Sequence, residues 1–422
     1  MAKTKRHQRS GRRTSQTQTE TQTPPKRRRE REWHTWSLEK WITVLGTVTS
    51  VAGALVSLVY WAWPGAAKQI AAREASCGFS DHGRVLLDAA WLTVPADAAA
   101  DSRPAVIGAC NSRGGDQAVT RRARGSYDVR LQDLGVDSGT VEVTAVSGAH
   151  RVCGAGGWGR TPRGLDLRVL VNCVDEHGVP ADSGFALRFL QAFAGTGTLA
   201  YLRYDLGAAT PFFPAANYSF NSFNAPNSVE RRGRGVYEAY LQGVQRSAES
   251  RMPGVVKVTP VGDAVQVCNP AVWYPYHQKT TGVDSMFVKV ECFDASGAPV
   301  DSGFTLTYSV DLAAPPGIIV KGAQLWTDDA GARRYTPNSL YQFTSAGRLA
   351  MVERRSTGDY LVKMPDAALT GGGHTQVSAY HTSATCHPDA VPAQRDGAVT
   401  VRVRCLASGT PVDARFALLF QS

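Results

Sequence analysis

At 422 residues the chain is long enough for about three domains, and a hydrophobic content of 43% excludes disorder throughout. The net charge of +10 invites a nucleic-acid reading, yet residues 1–40 hold 12 of the 46 Lys+Arg and 4 of the 36 Asp+Glu, a net +8 that leaves +2 for the rest. A folded nucleic-acid binder carries its basic face on its folded part, so no nucleic-acid partner is expected.

In chain order, residues 1–40 read as a disordered basic tail containing the run Lys26-Arg27-Arg28-Arg29-Glu30-Arg31. From Trp41 to Ala67 no charged residue occurs. As a helix this run would span about 40 Å, more than the roughly 30 Å hydrocarbon core. It predicts a transmembrane helix over 41–63, closed by Pro64, with Tyr60, Trp61 and Trp63 in the far aromatic belt. A cleaved signal peptide would have a shorter apolar region and a small-x-small site. The positive-inside rule keeps the tail cytoplasmic, near anionic lipid, and places everything beyond Lys68 outside the cell. Gly46, Ser50 and Ala54 form a small-residue row suited to a homodimer through the helix. Residues 64–76 read as a linker.

Beyond the linker the pattern is β. Val119-Thr-Arg-Arg-Ala-Arg-Gly-Ser-Tyr127 returns as Val229-Glu-Arg-Arg-Gly-Arg-Gly-Val-Tyr237 and as Val352-Glu-Arg-Arg-Ser-Thr-Gly-Asp-Tyr360. Gly139, Gly254 and Gly373 follow, each opening a Val/Thr-rich strand, then two Cys and a closing apolar strand. Segments such as Gly254–Thr259, Met286–Cys292 and Phe304–Tyr308 alternate apolar and polar residues with the period of a half-buried strand. The expected fold is all-β: three tandem antiparallel β-sandwiches, jelly-roll-like in one variant, after one N-terminal transmembrane helix. Their spans are 77–191, 192–311 and 312–422, each with its own core, like beads on a string. Within the motif, one Arg is expected to pair with a carboxylate of its own domain and the other to be solvated. The rival reading is an anion-binding patch repeated three times.

Eight Cys in an exported chain read as four disulfides. The repeats pair Cys153 with Cys173, Cys268 with Cys292 and Cys386 with Cys405, and Cys77 and Cys110 pair by elimination. The second copy carries Tyr237, Val256, Val258, Cys268, Trp273, Val288, Val290, Cys292, Asp294, Gly297, Pro299, Asp301 and Phe304. This set resembles a family of repeats in exported proteins of actinobacteria. The resemblance covers residues 80–422 and implies export and an all-β fold, with no function attached. The third copy departs from it, with Val391 in place of Trp and Ala407 in place of Asp.

Candidate chemistry is sparse. Asp182-Ser183-Gly184 and Asp301-Ser302-Gly303 look like the surroundings of a nucleophilic serine, but the tripeptide recurs at a strand entry and becomes Asp413-Ala414-Arg415 in the third copy. A turn whose Asp side chain bonds backbone N–H groups is the better reading. The pairs Asp175/Asp182 and Asp294/Asp301 are too few for the six to eight oxygens calcium takes. On a strand from Thr375 to Tyr380, His374 and His381 would face opposite sides, which argues against a zinc site with His387. No Gly-rich phosphate loop, H-E-x-x-H or G-x-S-x-G occurs. The expectation is therefore a non-enzyme without metal or cofactor, a membrane-anchored extracellular module that binds a cell-envelope polymer or protein. An exported enzyme acting on envelope polymer, or a spacer without a ligand, is the alternative. Trp273, Tyr274 and Tyr276, held between the paired Cys of the second copy, are the candidate ligand contacts. The competing reading has Trp273, like Trp158, packing on its disulfide.

Overall fold

The computed structural model describes residues 77, 79–81, 84–245, 254–279, 282–314, 321–369 and 372–422. The residues expected to form the basic tail (1–40), the spanning helix (41–63) and the linker (64–76) all lie outside the described residues. Among the described residues no helix is long and apolar enough to cross a membrane, and the architecture is all-β and sandwich-like, with only short 3-10 turns between strands.

Each repeat lays an inner sheet over an outer one. In the first, the inner sheet runs Arg84–Val94, Gly184–Ala192, Thr140–Val146, and the outer runs Gln117–Ala123, Ser126–Leu131, Leu167–Val174, Val152–Arg160. The second and third repeat this order, the second with inner strands Leu199–Tyr204, Gly303–Ser309 and Val255–Val261 and outer strands Asn227–Gly233, Val236–Gln242, Val283–Phe293 and Val267–Gln278. Each repeat encloses an apolar core, centred on Tyr127 and Phe185, Tyr237 and Phe304, and Tyr360 and Phe416, and a fourth buried cluster around Trp91, Leu190, Leu199 and Tyr201 joins the first repeat to the second.

Alternation explains the outer sheets. Leu167, Val169 and Val171 point into the core, while Arg168, Leu170 and Asn172 point outward. The inner strands behave differently. Thr140–Val146 and Val255–Val261 are buried at every position, and His374–Tyr380 at every position but the last. Their second face packs on the other two repeats, so the repeats are not beads on a string. The described residues all fall in one compact unit.

The packing closes into a ring. Thr144, Thr259 and Ser378 occupy equivalent places on the three axial strands. The Thr259 hydroxyl accepts from Val143 N at 3.0 Å, the Ser378 hydroxyl from Val258 N at 3.3 Å, and the Thr144 hydroxyl from Val377 N at 3.2 Å. Each junction thus carries the same bond, and a pseudo-threefold axis relates the three. Two positions before each hydroxyl stand Glu142, Lys257 and Gln376, all buried. Glu142 pairs with buried Arg188 at 3.4 Å. Lys257 Nζ donates to the carbonyls of Gln376 and Ala417, and Gln376 Nε2 donates to Ala186 O at 3.0 Å.

The junctions also explain the recurrent tryptophan. Trp158 meets Tyr218 of the second repeat with ring centroids 5.4 Å apart, under the guanidinium of Arg203. Trp273 meets Tyr380 at 5.2 Å and Trp326 at 5.8 Å in the third. At the remaining junction, where the third copy lacks the Trp, backbone approaches backbone. A Cβ on Gly108 would lie 2.0 Å from Gly373 O, and Ser147 N donates to Pro388 O at 2.9 Å.

The four disulfides join Cys77–Cys110, Cys153–Cys173, Cys268–Cys292 and Cys386–Cys405. The last three tie directly opposed residues of neighbouring antiparallel strands.

Candidate functional site

The thrice-repeated motif is a hairpin rather than a single strand. Its turn residues are Arg124-Gly125, Arg234-Gly235 and Thr357-Gly358. Gly125 sits at φ +68, and a Cβ there would come within 2.4 Å of Cys173 O. Only glycine fits that combination.

The first arginine of each pair grips an aspartate from the far end of its own repeat. Arg121 binds Asp182 through Nε and Nη2, both at 2.8 Å. Arg231 and Arg354 do the same with Asp301 and Asp413. Each aspartate also accepts from the motif glycine N–H and the motif tyrosine hydroxyl. The tyrosine oxygen accepts in turn from the N–H of Ser183, Ser302 or Ala414. The arginine bond holds the Asp301 carboxyl down at about 2, and burial lifts the Tyr127 phenol to about 12. This cluster locks hairpin to closing strand, and every charge in it is answered internally. Of the second arginines, Arg122 is exposed, whereas Arg232 and Arg355 pair with glutamates of their own sheets.

The other candidates are dispersed. Asp175 accepts from the N–H groups of His177 and Val179, and Asp294 from those of Ser296 and Ala298, so both shape turns. The Asp182 and Asp301 side chains do the hairpin bonding described above, and the Ser183 and Ser302 hydroxyls donate to their neighbouring Gly carbonyls. His374 is buried beside Gln376, His387 is buried, and His381 is exposed. Among the described residues no group of three or more His, Cys, Asp or Glu is placed to hold a metal.

Trp273, Tyr274 and Tyr276 do not form one site. They lie on one strand, where side-chain direction alternates. Trp273 turns inward to the junction with the third repeat, so its ring is committed to packing on that repeat. Tyr274 and Tyr276 turn outward and meet two residues that the sequence reading missed, Tyr240 and Phe287. Across the outer sheet the register aligns Ser228, Tyr240, Phe287 and Tyr274 in one row. Tyr274 lies 5.0 Å from Phe287, Tyr240 5.6 Å from Phe287, and Tyr276 6.0 Å from Phe287 and 5.9 Å from Tyr240. Phe287 is covered at 7% exposure by its three neighbours, and Tyr274 is 42% exposed. The missed pair carried a signal: Tyr240 and Phe287 sit at polar-phase positions of their strands.

Charged pairs border the row. Arg232 lies between Glu230 at 2.6 Å and Glu238 at 2.5 Å, and Glu238 also accepts from the Tyr240 hydroxyl at 2.9 Å. On the same face Lys289 pairs with Glu291 at 2.6 Å, whereas His277 and Asp284, paired at 2.6 Å, stand in the opposite phase of their strands. Burial and the Glu238 bond push the Tyr240 phenol to about 12, and burial raises that of Tyr274. Both hydroxyls are protonated donors at neutral pH.

The same row reads Ala118, Arg130, Arg168, Gly159 in the first repeat and Met351, Lys363, Thr400, Ala393 in the third. There the outward arginines are tied to Asp166 and Asp128. The aromatic row belongs to the second repeat alone. The chain matches no protein-family model, no curated protein and no solved structure.

Proposed function

We propose that this chain is a single-pass membrane protein displaying three tandem sandwich repeats outside the cell, and that it acts as a non-enzymatic binding module. The observation that carries the reading is the outward cluster of Tyr240, Tyr274, Tyr276 and Phe287 on one of three equivalent faces. Outward aromatics held in place by their sheet lose little freedom on binding, which suits a recognition surface. Export is supported by the uncharged run Trp41–Ala67, by the charge asymmetry about it and by the disulfides, which persist in oxidising compartments. Kinship with the exported actinobacterial repeats belongs to the same reading, as do dimerisation through the Gly46-Ser50-Ala54 row and contact of the tail with anionic lipid.

Two experiments test it. Protease added to intact cells should remove the repeats and leave the tail protected, and the reverse pattern would overturn the topology. A pull-down of envelope polymers and proteins with the segment from Lys68 onward should retain a partner. Replacing Tyr274 and Tyr276 by Ala should abolish that retention with little change in melting temperature, and normal retention by the double variant would sink the site.

A further inference from the structure

We propose that the tyrosine face of the second repeat takes the sugar rings of an uncharged polysaccharide. This deepens the binding-module reading and rests on it.

The first argument is charge. Glu230, Glu238 and Glu291 share the outward face with the row against two permanent cations, Arg232 and Lys289, each already paired. Such a border offers no surplus positive charge to a phosphate polymer, an anionic lipid or a nucleic acid, whose binding relies on one. It does offer fixed carboxylate and guanidinium edges, which accept from and donate to neutral hydroxyls.

The second argument is shape. Phe287 fills the space between Tyr240, Tyr274 and Tyr276, whose rings are inclined to one another by 41–76°, so the cluster is a shallow, filled surface of tilted rings and not a cage with a central hole. A cage is what a quaternary ammonium ion would need. With strands about 4.8 Å apart, the row from Tyr240 to Tyr274 is about 10 Å long. A patch that short falls well below the roughly 800 Å² per partner of a stable protein interface, yet the row is long enough for consecutive sugar rings. The C–H face of a sugar ring is apolar and slightly positive, which suits the electron-rich face of a phenol. Its equatorial hydroxyls then point sideways, toward the paired charges of the border.

The third argument is the hydroxyl content. Three of the four residues are tyrosines, whose phenols donate as well as stack. An aliphatic or Phe-only patch would serve oil-like contact equally well and could not address polar substituents.

The test uses the full chain in detergent micelles, sedimented with insoluble chitin, cellulose and an α-glucan, and in parallel with an immobilised poly(glycerol phosphate). Retention by at least one of the uncharged polymers is expected. Tyr274→Ala with Tyr276→Ala should weaken it about tenfold or more, while Tyr274→Phe with Tyr276→Phe, which keeps both rings, should lose much less. Unchanged melting curves show that the variants are folded. Retention only on the phosphate polymer, retention indifferent to the tyrosines, or no retention on any polysaccharide overturns the proposal. If an envelope protein is instead captured in a tyrosine-dependent way, the binding-module reading survives and the sugar assignment falls. If neither polymer nor protein is retained through the tyrosines, both fall.

Discussion

The axis of the ring and the outward row of the second repeat are two places where the repeats differ, and they differ for opposite reasons. At the axis Glu142, Lys257 and Gln376 replace one another at equivalent positions, fully out of water. Three identical charges could not meet there, because burying unpaired charge is prohibitive. An acid, a base and an amide can, with Glu142 answered by Arg188 and Lys257 by two carbonyls. Divergence at the axis therefore serves assembly of the ring. On the outer row, Tyr240, Phe287 and Tyr274 replace Arg130, Arg168 and Gly159 with no packing neighbour to satisfy beyond one another. Divergence facing solvent is available to a ligand. Between these extremes stands the Arg–Asp–Tyr cluster, the same three times, whose constancy marks it as architecture.

The largest expected effect is at the buried places. Arg188→Ala leaves Glu142 buried without its partner and should cost about 3–5 kcal/mol. Trp273→Ala opens the junction with the third repeat and should cost a similar amount, about 3–5 kcal/mol. Denaturant unfolding of the segment from Lys68 checks both. A loss below 1 kcal/mol in either would mean that the repeats do not depend on one another, and the contrast between axis and surface would break.

Next comes the shared cluster. Asp301→Ala strands the Gly235 N–H and the Arg231 guanidinium and removes an acceptor from the Tyr237 hydroxyl. We expect a loss of about 1–3 kcal/mol, matched by Asp182→Ala and Asp413→Ala. A substitution that changed polymer retention while leaving stability intact would recast the cluster as a binding site.

The acid limb of stability follows from the same inventory. Burial holds His374 down at about 3 and His387 at about 4, against an ordinary 6.5. Both are neutral in the fold, so the unfolded chain binds more protons as pH drops. Stability is whole above pH 6.5 and falls as pH moves down through 4 and 3. Asp301, near 2 against 3.8, adds a second decline below pH 4, again with the folded value depressed. Melting temperature against pH should show both, and His374→Gln with His387→Gln should remove the upper one. An upper decline that persisted in this double variant would reassign it to other groups.

Much of this was legible in the chain and some was hidden for a physical reason. Repetition exposed the three sandwiches, the Cys pairs and one ion-paired arginine in each motif, but not that the motif glycines turn a hairpin or which arginine is paired. It could not expose the ring, because alternation says only that a residue leaves its own core. Glu142, Thr144, Lys257 and Gln376 stand in the polar phase of their strands and would face water in an isolated sandwich. Here they face other repeats, and nothing in a period of two separates those cases. The same ambiguity caught Trp273, whose inward phase was readable but whose junction was not. Tyr240 and Phe287 stayed unseen because they join Tyr274 only through register, Phe287 from the next strand and Tyr240 from a strand further back in the chain.

The smallest expected effect sharpens the contrast most, since it compares neighbours on one strand. Tyr274 follows Trp273, points the other way and covers part of Phe287 at 5.0 Å. Tyr274→Ala forfeits that aromatic pair and uncovers some apolar surface, about 0.5–1 kcal/mol, several-fold less than its neighbour costs. Tyr274→Phe keeps the ring and should be nearly neutral, because the side chain is 42% exposed and its hydroxyl can be replaced in its contacts by water. Equal melting temperatures for Tyr274→Phe and the parent, together with a small drop for Tyr274→Ala and a large one for Trp273→Ala, would show that the outward ring is not held there for stability. A loss for Tyr274→Ala as large as that for Trp273→Ala would instead make the row a structural element of the second sheet, and its aromatic character would need no ligand to account for it.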